Sequence, residues 1–435
     1  MALSVRVEAN LFTAMKATAF STYPGDTLAH VLAARLDRVQ PQGPRGQWSP
    51  VRVIPNIDDD PDQGVDNQCW TLTTDPTIYP NNPEWFDECE HQCSFHPLSV
   101  CLPCCVRGGW GGGGIRGGGG GGGATSLGSD VTQSIKIISP PYFIHGPGWE
   151  ADFQRVFSQR SEHYNPIVRY GIMYTEYNPS TSLNVRIGNG TNPGAGFPFH
   201  IVRNLAMILL VYEPEIDRML RLHTFPAHQN NPRRWLTPLQ SPHFRPPNLP
   251  HSCPPDMLAS HLLNTCPDLR SVVRAMNPSL TEFCRPNTHS YYKYDFSSLL
   301  DPTDEPTPTT NQPNGHPAPP QPTHSKRKTV QFRLPSNLVV DPEILIHWVR
   351  LLASLVEFAK EVQLDTLNET LGVTVPDLEA INNNQGDTTV GARPPEFASV
   401  QPPGSLLRLF TAMEQAQIPL DSDTARFWHR RRTRA

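Results

Sequence analysis

A chain of 435 residues has the length of two to three domains of about 150 residues each, or of one large domain carrying loose insertions. Lys and Arg number 36 against 41 Asp and Glu, a formal charge of −5, which argues against a broadly basic nucleic-acid binder. With 30 Gly and 47 Pro the two types well exceed their usual combined share of about 12%, so part of the chain is loop or linker. The longest apolar run, residues 205–212, is far short of the ~18 residues of a membrane span. No basic segment followed by an apolar stretch opens the sequence, and the nine Cys are an odd number. Together these lead us to expect reduced thiols and a cytoplasmic protein.

In chain order, residues 4–8 alternate Val5 and Val7 with polar neighbours, as a strand does. Residues 41–64 are rich in Pro, Gly and Asp and read as an insertion. Residues 68–73 are strand-like. A second insertion, 101–130, contains the glycine tract 107–123, which is no phosphate-binding loop because no Gly-Lys-Ser/Thr closes it. Residues 134–138 read as a strand, and 147–164 as an amphipathic helix with Trp149, Phe153, Val156 and Phe157 on one side. Leu183, Val185 and Ile187 mark a short strand ending at the turn signal Gly188-Asn189-Gly190.

A long apolar helix covers 197–222. Residues 291–296 and 329–332 alternate as strands on either side of a third insertion, the Pro-rich 301–328. Asp341-Pro342 opens a helix with an N-cap carboxylate and a first-turn proline, running to about Val362. A last amphipathic helix spans 405–417. Without a regular βαβ rhythm the chain is expected to be α+β, with a largely antiparallel sheet and flanking helices. It divides into a body at 1–362, broken by the three insertions, and an extension at 363–435 with one helix and a basic tail.

Two strands carry paired polar residues on one face, because side chains two apart point the same way. They are Asn184 with Arg186, and Gln331 with Arg333. Taken singly, each is the ordinary exposed face of a strand. An arginine there can fork onto a carboxylate or phosphate.

Taken together, the segments resemble the fungal amidoligase family, carboxylate–amine ligases with a glutamine synthetase-like fold. Residues 4–8 resemble its opening Phe-Gly-Val-Glu-x-Glu strand. Residues 70–78, with Trp70 and Asp75, resemble its Trp-x-Val-x-x-Asp-x-Ser-Ile segment, and 135–140 its Val-Glu-x-x-Ser-Pro strand. Residues 181–190 resemble Thr-Gly-x-His-Val-His-Ile-Gly, and 197–217 the helix after it. Residues 329–333, followed by Asp341-Pro-Glu-Ile and Trp348-Val, resemble Thr-Val-Glu-Phe-Arg and the closing helix. The resemblance implies ATP-dependent amide formation. A carboxylate takes the γ-phosphoryl group and an amine displaces phosphate, with Mg²⁺ held by acids and histidines on the strands.

The chain departs from that pattern at the positions that matter most. Arg6 stands for the first acid of the opening strand, leaving Glu8 as the surviving metal ligand. Lys136 stands for the acid of the Ser-Pro strand, Asn184 and Arg186 for the two histidines, and Gln331 for the acid before the retained Arg333. These substitutions turn the groove positive. We therefore expect an impaired ligase, needing ATP and Mg²⁺ if active, with a small-molecule carboxylate and amine as partners. The alternative is a non-enzymatic binding or scaffold protein. In the bolder form of the first expectation, Arg6, Lys136, Arg186 and Arg333 share one anion pocket, with Arg333, Arg186 and Lys136 on the nucleotide.

Three further features stand apart. Cys89, Cys93, Cys101 and Cys104 approach zinc-ligand spacing but lack the regularity of known fingers, so incidental thiols are the expectation. The Pro-rich 301–328 could dock a protein partner. The basic run 430–434 reads as a frayed charged terminus, with nuclear import or a nucleic-acid patch as its alternative.

Overall fold

The computed structural model describes residues 2–15, 28–38, 49–54, 68–74, 131–157, 173–176, 182–190, 192, 194–220, 254–277, 292–300, 327–335, 342–373, 405–418 and 420–433. The strands are β1 (Leu3–Met15), β2 (Val51–Val53), β3 (Trp70–Thr74), β4 (Val131–Ile138), β5 (Tyr142–Phe143), β6 (Met173–Glu176), β7 (Ser182–Asn189), β8 (Tyr294–Asp295) and β9 (Thr329–Pro335). They form one sheet in the order β2-β3-β4-β1-β7-β9-β8, with β5 and β6 also paired to β1. All described pairings are antiparallel except β2 with β3. The result is a mixed fold with a mostly antiparallel sheet flanked by helices, as composition and rhythm suggest.

β1 is the axis of the sheet. On one edge it pairs with β4 from Glu8 to Met15, and with β5 at Ser4 and Val5. On the other it pairs with β7 from Leu3 to Asn10, and with β6 from Phe12 to Met15. Ser139 makes the corner between β4 and β5. Its N–H donates to Val7 O, its Oγ accepts from Val7 N–H at 2.8 Å, and the same hydroxyl donates to Pro140 O. The strand runs to Met15, beyond the alternation of residues 4–8, and its second half pairs with β4 on one edge and β6 on the other.

The period-2 pattern sorts the sheet into two faces. Leu3, Val5, Val7 and Ala9 of β1, Leu183, Val185 and Ile187 of β7, and Val330, Phe332 and Leu334 of β9 enter one hydrophobic core. The helices in that core include α1 (Leu28–Arg38), α2 (Trp149–Phe157), α3 (Phe199–Leu220), α4 (Pro255–Thr265), α5 (Leu269–Met276) and α6 (Pro342–Glu361). α3 is apolar almost all round and is accordingly enclosed by other helices; Asn204 donates to Ala359 O of α6 at 3.0 Å. α5 begins with a capping box, in which Asp268 accepts from Ser271 N–H and the Ser271 hydroxyl accepts from Asp268 N–H. Across β3, β5 and α2, the buried Asp152 collects the Trp70 indole, the Tyr142 hydroxyl and Arg155.

Several expectations need correction. The insertion at 41–64 contains β2. Val51 and Val53 flank Arg52 with strand alternation, and pairing to β3 overrides the surrounding Pro and Gly. The expected strand 291–296 shortens to two residues, followed by a 3-10 turn at Ser297–Leu299. Asp295 Oδ1 accepts from both the N–H and the hydroxyl of Ser297 and bends the chain there.

Among the described residues, the extension at 363–435 carries three helices where one was expected: α7 (Leu364–Leu371), α8 (Leu406–Gln415) and α9 (Ser422–Thr433). α7 stops at Gly372, whose φ of 72° suits a residue without Cβ. Residues 430–433 of the basic run are helical rather than frayed. They lie in α9, where Trp428 is fully buried and donates to His347 O. There Arg431 donates to Met219 O at the end of α3, and Arg432 pairs with Glu215 at 2.9 Å. Asp341, Asp75, the glycine tract and residues 301–326 lie outside the described residues.

Candidate functional site on the polar face of the sheet

The face opposite the core is polar and largely enclosed. Residues directly opposite in antiparallel pairs share a face, and the register sets Arg6 against Arg186 and Glu8 against Asn184. It also sets Asn184 against Arg333 and Arg186 against Gln331. Six sequence-selected residues thus form a patch across β1, β7 and β9. Lys136 of β4 joins it through its side chain.

Glu8 is the centre of this patch, 1% exposed. Arg186 Nε lies 2.9 Å from its Oε1, and Arg186 Nη2 donates to Oε2 at 3.4 Å. Lys136 Nζ lies 3.5 Å from Oε2. Burial alone would raise the Glu8 pKa. Arg186, Lys136 and Arg6 outweigh it and hold the carboxyl at about 2, below its ordinary 4.5. Arg6 also donates from Nε to Ser139 O at 3.2 Å. One carboxylate therefore sits among three cations.

Arg333 takes another partner. Its Nη2 lies 3.5 Å from Asp295 Oδ2 of β8, and Gln331 stands between Asp295 and Arg186 in register. The expected four-cation pocket is corrected accordingly. Lys136 and Arg186 both turn to Glu8 and Arg333 to Asp295, and Arg6 and Arg186 also line a small cavity with Arg327 and Lys328. Sequence reading missed Arg327 and Lys328 because they close the Pro-rich insertion, where a charge run reads as solvated. Their signal was position, immediately before β9. Asp295 was missed because its strand is only two residues long.

Magnesium prefers six oxygens in octahedral array. Here both Glu8 oxygens face cations, and the only other side-chain oxygens on the patch's sequence-selected residues are the amides of Asn184 and Gln331. This donor set does not fit Mg²⁺. Among the described residues no group of three His, Cys, Asp or Glu side chains is gathered as a metal would need; Cys89, Cys93, Cys101 and Cys104 lie outside them.

A second buried knot of charge lies on the helical side. Lys293 Nζ, 2% exposed at its side chain, is 3.3 Å from Glu213 Oε1 and also bonds Asp217, both on α3. Burial alone would lower the Lys293 pKa, but Tyr294, Asp217 and Glu213 raise it above its ordinary value.

Comparison with known proteins yields no matching family model, no matching curated protein and no matching solved structure. No helix among the described residues is long and apolar enough to cross a membrane.

Proposed function

We propose that this chain is an amidoligase-like protein of glutamine synthetase-like fold in which ATP-dependent carboxylate–amine ligation is impaired, leaving a binding protein that uses the electropositive face of its sheet. The ordered resemblance of its strands supports the family. The observation that carries the loss of activity is Glu8: the one carboxylate at the ligase-like metal positions is clamped between Arg186 and Lys136. A ligase needs free carboxylates there to screen the charge that gathers between phosphoryl oxygens. Cations at the same positions occupy the carboxylate and repel a divalent metal.

The test is a turnover assay with ATP, Mg²⁺ and mixed amino acids and amines. The expected result is no ATP-dependent amide formation above the rate in buffer. Turnover that Glu8→Ala abolishes would overturn the reading and make the chain a working ligase.

A further inference from the structure

His347 of α6 receives the first half of α9. Its Nδ1 lies 2.8 Å from Thr424 Oγ1. Its ring stacks on Phe427 with centroids 4.2 Å apart, and its carbonyl accepts from the Trp428 indole at 3.2 Å. Thr424 and Trp428 are both fully buried. Asp421 caps the start of the helix: its Oδ1 accepts from Thr424 N–H and its Oδ2 from the Thr424 hydroxyl. These contacts decide the tautomer. The one hydroxyl proton of Thr424 goes to Asp421, so Thr424 Oγ1 accepts from His347 Nδ1–H. Nε2 is left as the basic nitrogen.

A proton added at Nε2 places a full charge in a half-buried interface, where desolvation opposes it. The acids around it are engaged elsewhere or screened. Asp421 already accepts from Arg350 at 3.1 Å and from Thr424. Asp423 of α9 pairs with Arg426 at the exposed surface, and Glu343 of α6 is exposed. Arg350, one turn along α6 and shared with Glu150 of α2, repels the new charge. The Phe427 face offers a cation some attraction. Burial and Arg350 prevail and hold the His347 pKa below its ordinary 6.5.

The seat is also short of one hydrogen bond. Trp348 meets Trp428 edge-on at 6.1 Å and is 1% exposed, and its indole N–H finds no acceptor among the described residues. A buried donor left unpaired works against the closed arrangement. The second half of α9 is held by Arg431 on Met219 O and Arg432 on Glu215, contacts that involve no histidine.

We propose that α9 is a proton-sensitive latch, which protonation of His347 at mildly acidic pH loosens from the α6 face around Trp348. The sign follows from where the proton is held more tightly. The lifted state, with His347 in water, binds it better than the seated one. Seating is therefore complete above about pH 6.5 and is lost progressively as pH falls below it. The inference does not depend on the ligase reading.

Hydrogen exchange of the full chain tests it, read by mass spectrometry on peptides from α9 at about pH 7.5 and about pH 5.5 and corrected for the intrinsic pH dependence of exchange. Protection of α9 should fall by about threefold or more at the lower pH, while that of β1 changes by less than about twofold. His347→Asn keeps a side-chain N–H donor for Thr424 but does not titrate, and should leave α9 equally protected at both pH values. A purely structural role for His347 would instead lower protection in that variant and leave the pH dependence in place. His429→Gln, at the exposed histidine of α9, should keep the full pH dependence and decides the matter if His347→Asn does not fold. Equal or greater protection of wild-type α9 at the lower pH, a pH dependence that survives in folded His347→Asn, or one that vanishes in His429→Gln would each overturn the proposal.

Discussion

Two of the buried knots of charge among the described residues are opposite in sign. At Glu8 one carboxylate is surrounded by Arg186, Lys136 and Arg6; at Lys293 one ammonium is held by Glu213 and Asp217. Both lie within a chain whose composition is mildly acidic, and both displace charge from water at a cost that only close pairing offsets. They differ in what borders them. The Lys293 knot ties a loop before β8 to the core helix α3, whereas the Glu8 knot joins β1, β4 and β7 on the polar face of the sheet. The first fixes a loop; the second lies on the face proposed above as a binding surface.

The largest expected effect tests the structural knot. Lys293→Met leaves Glu213 and Asp217 without their shared cation, and breaking a buried pair costs about 3–5 kcal/mol. Urea unfolding should show that loss, and phosphate should not restore it. If the variant is as stable as the wild type, the knot does not fix the loop.

The Glu8 knot should respond to acid. Its carboxyl is held at about 2 in the folded chain against an ordinary 4.5, so the unfolded state binds the extra proton between those values. The stabilisation is complete above pH 4.5 and is lost as pH falls toward 2, amounting to about 3 kcal/mol. Urea midpoints of the wild type and of Glu8→Gln should converge over that window, the variant lacking this part of the acid dependence. Parallel curves would remove Glu8 as its source.

A ligand effect of intermediate size separates the two knots. In Glu8→Gln the three cations have lost their carboxylate, and bound phosphate supplies the missing charge by linkage. About 10 mM phosphate should raise the melting temperature of Glu8→Gln more than that of the wild type, and should not do so for Lys293→Met. The smallest effect belongs to Gly188→Ala. Its new Cβ presses on Ser4 and Thr329, at a stability cost of about 1 kcal/mol. A variant as stable as the wild type would show that these neighbours relax freely.

Alternation made the two faces of the sheet legible. Val5 and Val7 against Arg6 and Glu8, and Val185 and Ile187 against Asn184 and Arg186, announce their faces because strand side chains alternate strictly. What periodicity could not show is which cation meets which acid. Lys136 is paired with Glu8 across β1 and β4, and Arg333 with Asp295 across β8 and β9; both depend on strand order, which local pattern does not contain. Arg327 and Lys328 were hidden by the low-complexity segment they close, and β2 by its Pro- and Gly-rich surroundings. The docked basic run of α9 was illegible for a related reason. Arg431 and Arg432 look solvated until α3 supplies the Met219 carbonyl and Glu215.

The most direct measurement is a calorimetric titration with phosphate, run with Mg²⁺ and with EDTA and corrected for magnesium phosphate formed in the buffer. If, as proposed, cations stand where a ligase would hold its metal, phosphate should bind with the same affinity in both, within about twofold. Binding that appears only with Mg²⁺, or tightens tenfold or more in its presence, would contradict that claim and restore the face as a metal centre.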